Sequence, residues 1–398
     1  MLTVDRLFYQ TVSGIVTFLR LTQPLSFQNR MTTDMDLQAF SQHDHNRETN
    51  GSVNETIRDE SGVISMADNR RIESCIWGQA VGDAIGLGCE FKTREQIKEN
   101  YKSTRFTYDD IVQDRHTSQW MKGDWTDDTD QMLLVMKTIM NTEPALYATT
   151  FASLLWDWWE HGIAELGDNG GVGLGRPVLW VMNEECFLDD PKKAARIVWN
   201  VADYTENGSI MKVGVIGTMN TTIDYIVETT TEFCLICHSD PRCVASCVFL
   251  VVCIHYFSRK NYPISISEVI ERAKLQALRS MRKLDNFTKY YEERFLNYFK
   301  PINDIADLIL DRPQVRSTIK QTFRCVVYAL QELQKGRGFD SILWDVILQG
   351  GDSDTNGCVV GTMLGAYFGK VPKAYIVGLT YGDYMRNRIS EWIAFVNS

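Results

Sequence analysis

From Asn69 to Ser398 the apolar residues of this chain return at helical spacing, and the alternation that marks strands is scarce. That pattern restricts the chain to packed helices, because a helix-period stripe cannot line one face of a sheet. Helices are expected over residues 71–85, 130–140, 151–159, 191–202, 241–257, 267–284, 316–333 and 355–368. Pro191, Pro241 and Pro313 suit first-turn positions, where a missing amide hydrogen costs nothing. No internal repeat is visible. The expected fold class is a single compact all-α domain over residues 69–398 with no parallel sheet. Residues 32–68 are polar, rich in Asn, Asp, Ser and Thr, and read as a disordered lead-in. Residues 1–68 are therefore set apart as an N-terminal extension. Its first 30 residues carry Arg6, Arg20 and Arg30 against one acid, Asp5. That composition fits either a transit peptide or a plain extension, and the plain extension is preferred. The chain is read as cytoplasmic, with organellar import as the alternative.

Composition narrows the function. The formal net charge is -10, which argues against coating nucleic acid, since phosphate neutralisation needs clustered bases. The most apolar run, 243–257, is too short to cross a bilayer and is bounded by Arg242 and Arg259. The ten cysteines are irregularly spaced and several sit in apolar stretches, as reduced buried thiols do. Cys234, Cys237 and His238 form a CxxCH string, but no second Cys/His pair completes a metal site.

Two acidic segments carry the chemistry. In Gly123-Asp124-Trp125-Thr126-Asp127-Asp128-Thr129-Asp130, four acids fall just before an apolar-periodic helix. One acid there is an ordinary cap; four repel one another unless a cation neutralises them. In Gly350-Gly351-Asp352-Ser353-Asp354-Thr355-Asn356-Gly357, two acids at i and i+2 follow a glycine turn and precede a helix. Together the segments offer oxygen ligands for a pair of hard divalent ions. A calcium loop of the EF-hand kind does not fit, because Leu364 stands near the place of its last acidic ligand. Three weaker motifs accompany them. Gly82-Asp83-Ala84-Ile85-Gly86-Leu87-Gly88-Cys89-Glu90 is a helix end presenting Glu90. Asn207-Gly208-Ser209-Ile210-Met211-Lys212 is expected to open a helix whose amides face an anion. His238-Ser239-Asp240-Pro241 is a capped helix start. The many glycines beside acids, among them Gly78, Gly82, Gly86, Gly88, Gly173, Gly175 and Gly357, are read as loops between helices.

In their order these motifs resemble the ADP-ribosylglycohydrolase family, with the bacterial dinitrogenase-reductase-activating branch most similar. The resemblance covers roughly residues 69–398, and the paired DDT and GGDxDT motifs are its most specific part. It implies an all-helical domain with two magnesium ions (manganese being the alternative) at helix ends. Thr126, Asp127, Asp128, Asp352, Asp354 and Thr355 would be the metal ligands. Asp354 would lie between the ions. Glu90 would stand near the metals and the distal ribose, Gly208, Ser209 and Ile210 would cradle a diphosphate, and His238 would sit near the substrate. Asp127, Asp128, Asp354 and Glu90 would be the catalytic carboxylates. The implied partner is an ADP-ribosylated protein, through arginine by preference or through serine, or a free ADP-ribose derivative. Oligomeric state is not readable. Two departures touch substrate fit: the NG motif usually continues with Arg and a later Pro, and here Lys212 and Val215 stand there. The alternatives are an inactive ADP-ribose-binding or structural relative and a metal-dependent phosphohydrolase.

Overall fold

Helical periodicity dictates helices, and each segment that has it forms one. The computed structural model describes residues 67–398, apart from 104, 203, 260–263 and 314–316. The extension, with its lead-in and transit-peptide readings, is expected over residues 1–68; 1–66 lie outside the described residues, whereas Ala67 bridges to Arg259 and Asp68 caps the helix that opens at Asn69, so the domain starts slightly before Asn69. The first helices in chain order are α1 (Asn69–Gly86), α2 (Arg94–Asn100), α3 (Asp127–Asn141), α4 (Tyr147–His161) and α5 (Arg176–Met182). Then come α6 (Pro191–Ala202), α7 (Ile223–Leu235), α8 (Pro241–Phe257), α9 (Ile266–Arg282) and α10 (Lys289–Leu296). The last are α11 (Ile319–Gln334), α12 (Phe339–Ile347), α13 (Ser353–Phe368), α14 (Lys373–Gly378) and α15 (Gly382–Val396). The described residues contain no β-strand, only the isolated bridges Ala67 to Arg259 and Glu206 to Thr318. None of their helices is long and apolar enough to cross a membrane.

Pro191 and Pro241 do open their helices. Pro313 does not: α11 starts only at Ile319. In α8 every residue but Arg242 is buried, as its apolarity all round requires. All ten cysteines are free, and all but Cys186 are buried.

The pairing of α1 with α13 sets up everything that follows. Gly78, Gly82 and Gly86 recur every fourth residue in α1, and Gly357, Gly361 and Gly365 do so in α13. Gly78, Gly82, Gly86 and Gly357 are therefore not loop glycines, contrary to the expectation above. A side chain at Gly82 would lie 2.0 Å from the Gly357 carbonyl oxygen, and one at Gly78 would lie 2.1 Å from that of Gly361. The two backbones touch, which only glycine permits at such spacing. The contact runs to the end of α1, where a side chain at Gly86 would strike the Ser353 carbonyl. The end of α1 is thereby fixed against the start of α13.

Candidate active site

The end of α1, the start of α3 and the start of α13 meet. Asp83, in the last turn of α1, is fully buried and accepts from both threonines that flank the Asp127-Asp128 pair. Thr126 gives its amide at 3.1 Å and its hydroxyl at 2.9 Å; Thr129 gives its amide at 3.1 Å and its hydroxyl at 2.6 Å. Thr126 is also the N-cap of α3. Asp83 thus clamps the acidic turn from beneath, and its carboxyl is pushed up to about 6 by burial, partly offset by these donors. Sequence reading gave it no role, although it lies within the quoted glycine-rich motif.

At the start of α13, Gly350 and Gly351 take φ of 70° and 71°. A side chain at Gly351 would lie 2.0 Å from the Leu310 carbonyl oxygen. This turn exchanges backbone hydrogen bonds with the Phe91-Lys92 loop, so Glu90 is carried to Asp352 and Asp354. Ser353 donates to the Gly86 carbonyl at 2.8 Å, tying the turn to α1. Glu90, Asp352 and Asp354 each bring a carboxylate oxygen within 4.8 Å of the others, and all three are buried. Asp127 and Asp128 stand outside this triad but share its field. Asp127 is held well above the ordinary carboxylate range by burial, then by Asp83 and Glu90. Burial raises Asp128 likewise, with Asp83 and Asp127 adding to it, while the neighbouring Thr355 hydroxyl works the other way. Asp354 is raised by burial, then by Glu90 and Asp352.

Oδ2 of Asp128 and Oδ1 of Asp354 are buried without a hydrogen-bond partner. An orphaned carboxylate oxygen beside other buried carboxylates is the environment a cation relieves. The donors are all oxygen, which suits magnesium or manganese. The other two acids of the first segment do different work. Asp130 accepts from the indoles of Trp125 at 2.9 Å and Trp158 at 3.0 Å, and Asp124 accepts from the Trp125 amide. They anchor the turn.

Around the carboxylates lies a polar shell. Asn207 donates to Asp352 at 2.8 Å and to the Thr322 hydroxyl at 2.9 Å. Gln131 donates to Asp127 at 2.9 Å. Glu90 pairs with His116, whose ring meets Phe91 at 4.8 Å and Trp120 at 5.3 Å between centroids. Burial raises Glu90 in spite of this partner. No sequence signal pointed to His116, which lies in an irregular polar loop.

The Asn207–Lys212 segment is a turn, followed by the short 3-10 helix Gly214–Thr218. It does not open the α-helix expected from sequence. Ser209 and Ile210 are fully buried and Gly208 is half-buried. His238 lies against Gly208, 3.4 Å from where a side chain there would begin. Both ring nitrogens of His238 lack a partner, and burial holds its pKa well below the ordinary value. Lys212 is wholly buried, and its ammonium donates to the Gly208 carbonyl at 2.7 Å and to Gln131 at 3.2 Å. It braces the turn from within. Asp240 caps α8 by accepting from the Arg242 amide at 2.8 Å, as its motif suggested.

A sequence model of the ADP-ribosylglycohydrolase family matches residues 65–396. A protein of Acanthamoeba polyphaga mimivirus, L543, named provisionally as an ADP-ribosyl glycohydrolase, is 22% identical over 323 residues, 77% of this chain and 89% of its own. An uncharacterized protein of Archaeoglobus fulgidus is also 22% identical over 323 residues, 79% of this chain and 93% of its own. A solved structure described as an ADP-ribosylglycohydrolase-related protein complex superposes with a TM-score of 0.56 at 15% identity. It covers 82% of this chain and 98% of that one, and shares its fold.

Proposed function

The chain belongs to the ADP-ribosylglycohydrolase family, and on that premise we propose that it hydrolyses the bond joining ADP-ribose to a modified protein side chain, with arginine the favoured linkage and serine the other. The observation that carries this reading is the meeting of Asp127, Asp128, Asp352 and Asp354 with Glu90 at three helix ends, with buried oxygens of Asp128 and Asp354 left unpartnered. Asp127, Asp128 and Asp354, held well above the usual carboxylate range by burial and neighbouring acids, are relieved by a cation or a positively charged reacting group. Thr126, Asp127, Asp128, Asp352, Asp354 and Thr355 would hold two magnesium ions. When bound, such ions supply Lewis-acid polarisation of hydroxyls and water.

The chain's own residues do the rest. Gly208, Ser209 and Ile210 would receive the diphosphate, with His238 behind the turn. The buried carboxylates favour positive charge developing on the ribose as the bond from its anomeric carbon to the target breaks. A water adds to that carbon, and its proton passes to one of Asp127, Asp128, Asp354 and Glu90. The leaving nitrogen or oxygen takes a proton from one of these carboxyl groups, and the proton from water replaces it. The test is release of free ADP-ribose from ADP-ribosyl-arginine and ADP-ribosyl-serine peptides, with magnesium and with excess EDTA. Release that EDTA stops supports the reading and names the linkage. No release from either peptide by a folded protein overturns it, and release of inorganic phosphate instead points to phosphohydrolysis.

A further inference from the structure

The Gly208–Ile210 turn, where the diphosphate would lie, has a buried cation beneath it, and that cation is engaged within the fold. The ammonium of Lys212 is buried and points at the Gly208 carbonyl and Gln131. Lys92 is paired with Asp114 at 2.8 Å, and His116 with Glu90. The two ions proposed above would neutralise the carboxylates, and the phosphates at the Gly208–Ile210 turn would still lack a cation of their own. A cation at the mouth would favour them.

Arg176 stands in the right place. The segment that carries it runs along the edge of the site. A side chain at Gly173 would lie 2.2 Å from Oδ1 of Asp127, and Val178 lies 3.7 Å from where a side chain at Gly208 would begin. Arg176 falls between these two contacts and is exposed. It opens the short helix α5, where the backbone field disfavours a cation, so local stability does not explain its presence. It acts electrostatically on Glu206, the residue before Asn207. Burial and Asp352 push that carboxyl up to about 7, and Arg176 works against both. No hydrogen bond or ion pair to a described side chain occupies the guanidinium.

We propose that Arg176 binds the diphosphate of the ADP-ribosyl substrate, in place of the cation that Lys212 cannot supply. This rests on the function proposed above. A guanidinium offers two parallel donors to a phosphate, which an ammonium does not.

The experiment is calorimetric titration of the full chain, with magnesium present, using ADP-ribose, ADP and adenosine as probes against wild type, Arg176→Ala and Arg176→Lys. The expected result is that Arg176→Ala weakens ADP-ribose and ADP by about ten- to a hundredfold and leaves adenosine unchanged, with Arg176→Lys recovering part of the loss. Wild-type affinity for ADP-ribose in Arg176→Ala overturns the assignment while the hydrolase reading stands. An equal loss for adenosine also overturns it, since that would mark a change of shape. If the wild type itself binds neither ADP-ribose nor ADP, the hydrolase reading fails and this assignment fails with it.

Discussion

Asp83 and Asp354 are both buried carboxylates with raised pKa values, and their surroundings treat them in opposite ways. Asp83 is surrounded by four donors from Thr126 and Thr129, whereas Asp354 keeps an oxygen that nothing meets. The first is a bracket and the second a ligand in waiting. Asp83→Asn turns one acceptor oxygen into a donor facing other donors. It should destabilise the protein by about 2–4 kcal/mol, read from the denaturant midpoint. Unchanged stability would mean that the clamp is not holding α3. Asp354→Asn removes a charge from a repelling group. Turnover should fall by about a hundredfold or more, while the EDTA-treated protein melts no lower than wild type. Wild-type turnover would remove Asp354 from the mechanism. The difference between these two residues also marks what was legible. Asp127, Asp128, Asp352 and Asp354 announce themselves by clustering within short segments. Asp83 and His116 act across long stretches of chain, and nothing in their local sequence distinguishes them from ordinary polar residues.

At the scale of elements, the close pair α1 and α13 transmits packing directly to the site. Gly82→Ala should gain about 1 kcal/mol of helix propensity. It also drives a methyl to 2.0 Å from the backbone of α13, where no side chain can swing aside. The net effect should be a loss of about 2–4 kcal/mol, read by thermal unfolding. Gly86→Ala presses instead on Ser353 and Asp354. It should lower turnover by tenfold or more, because misplacing a reacting group by about an ångström has that scale of effect. Equal stability and turnover in both variants would mean that the helices separate without consequence. Most long helices were legible because burial on one face enforces period 3.6, as in α3 and α11, although α15, of 15 residues, was not expected. The shorter ones, α2, α5, α10, α12 and α14, span too few turns for a period to register. In α7 three threonines lower the local helix signal, and packing overrides them. The glycines were misread because spacing four apart between two distant helices looks, in one segment, like a string of turns.

For the whole molecule, buried ionisable groups set two opposing responses to acid. Asp127, Asp128 and Asp354 are raised in the folded state, so the fold binds their protons more tightly than the unfolded chain does. Without metal, they favour folding as pH falls toward the ordinary carboxylate range. His255 acts in the other direction. It is buried at the end of α8, and Nδ1 accepts from the Arg259 guanidinium at 2.8 Å, which holds the ring neutral. Burial first, and Arg259 second, depress its pKa well below the ordinary 6.5. The unfolded chain therefore takes up this proton first, and stability from the neutral ring is complete above 6.5 and lost as pH falls below it. His255→Asn keeps an acceptor for Arg259 and removes the titration. The excess stability of wild type over this variant should shrink by about 1.4 kcal/mol per pH unit below 6.5, or about 2 kcal/mol by pH 5. The carboxylates and His238 are common to both proteins and cancel in the difference. Urea midpoints at pH 7.5, 6.5, 5.5 and 5 measure it. A difference that stays constant across that range would show that His255 takes up its proton alike in the folded and unfolded chains, contrary to this account.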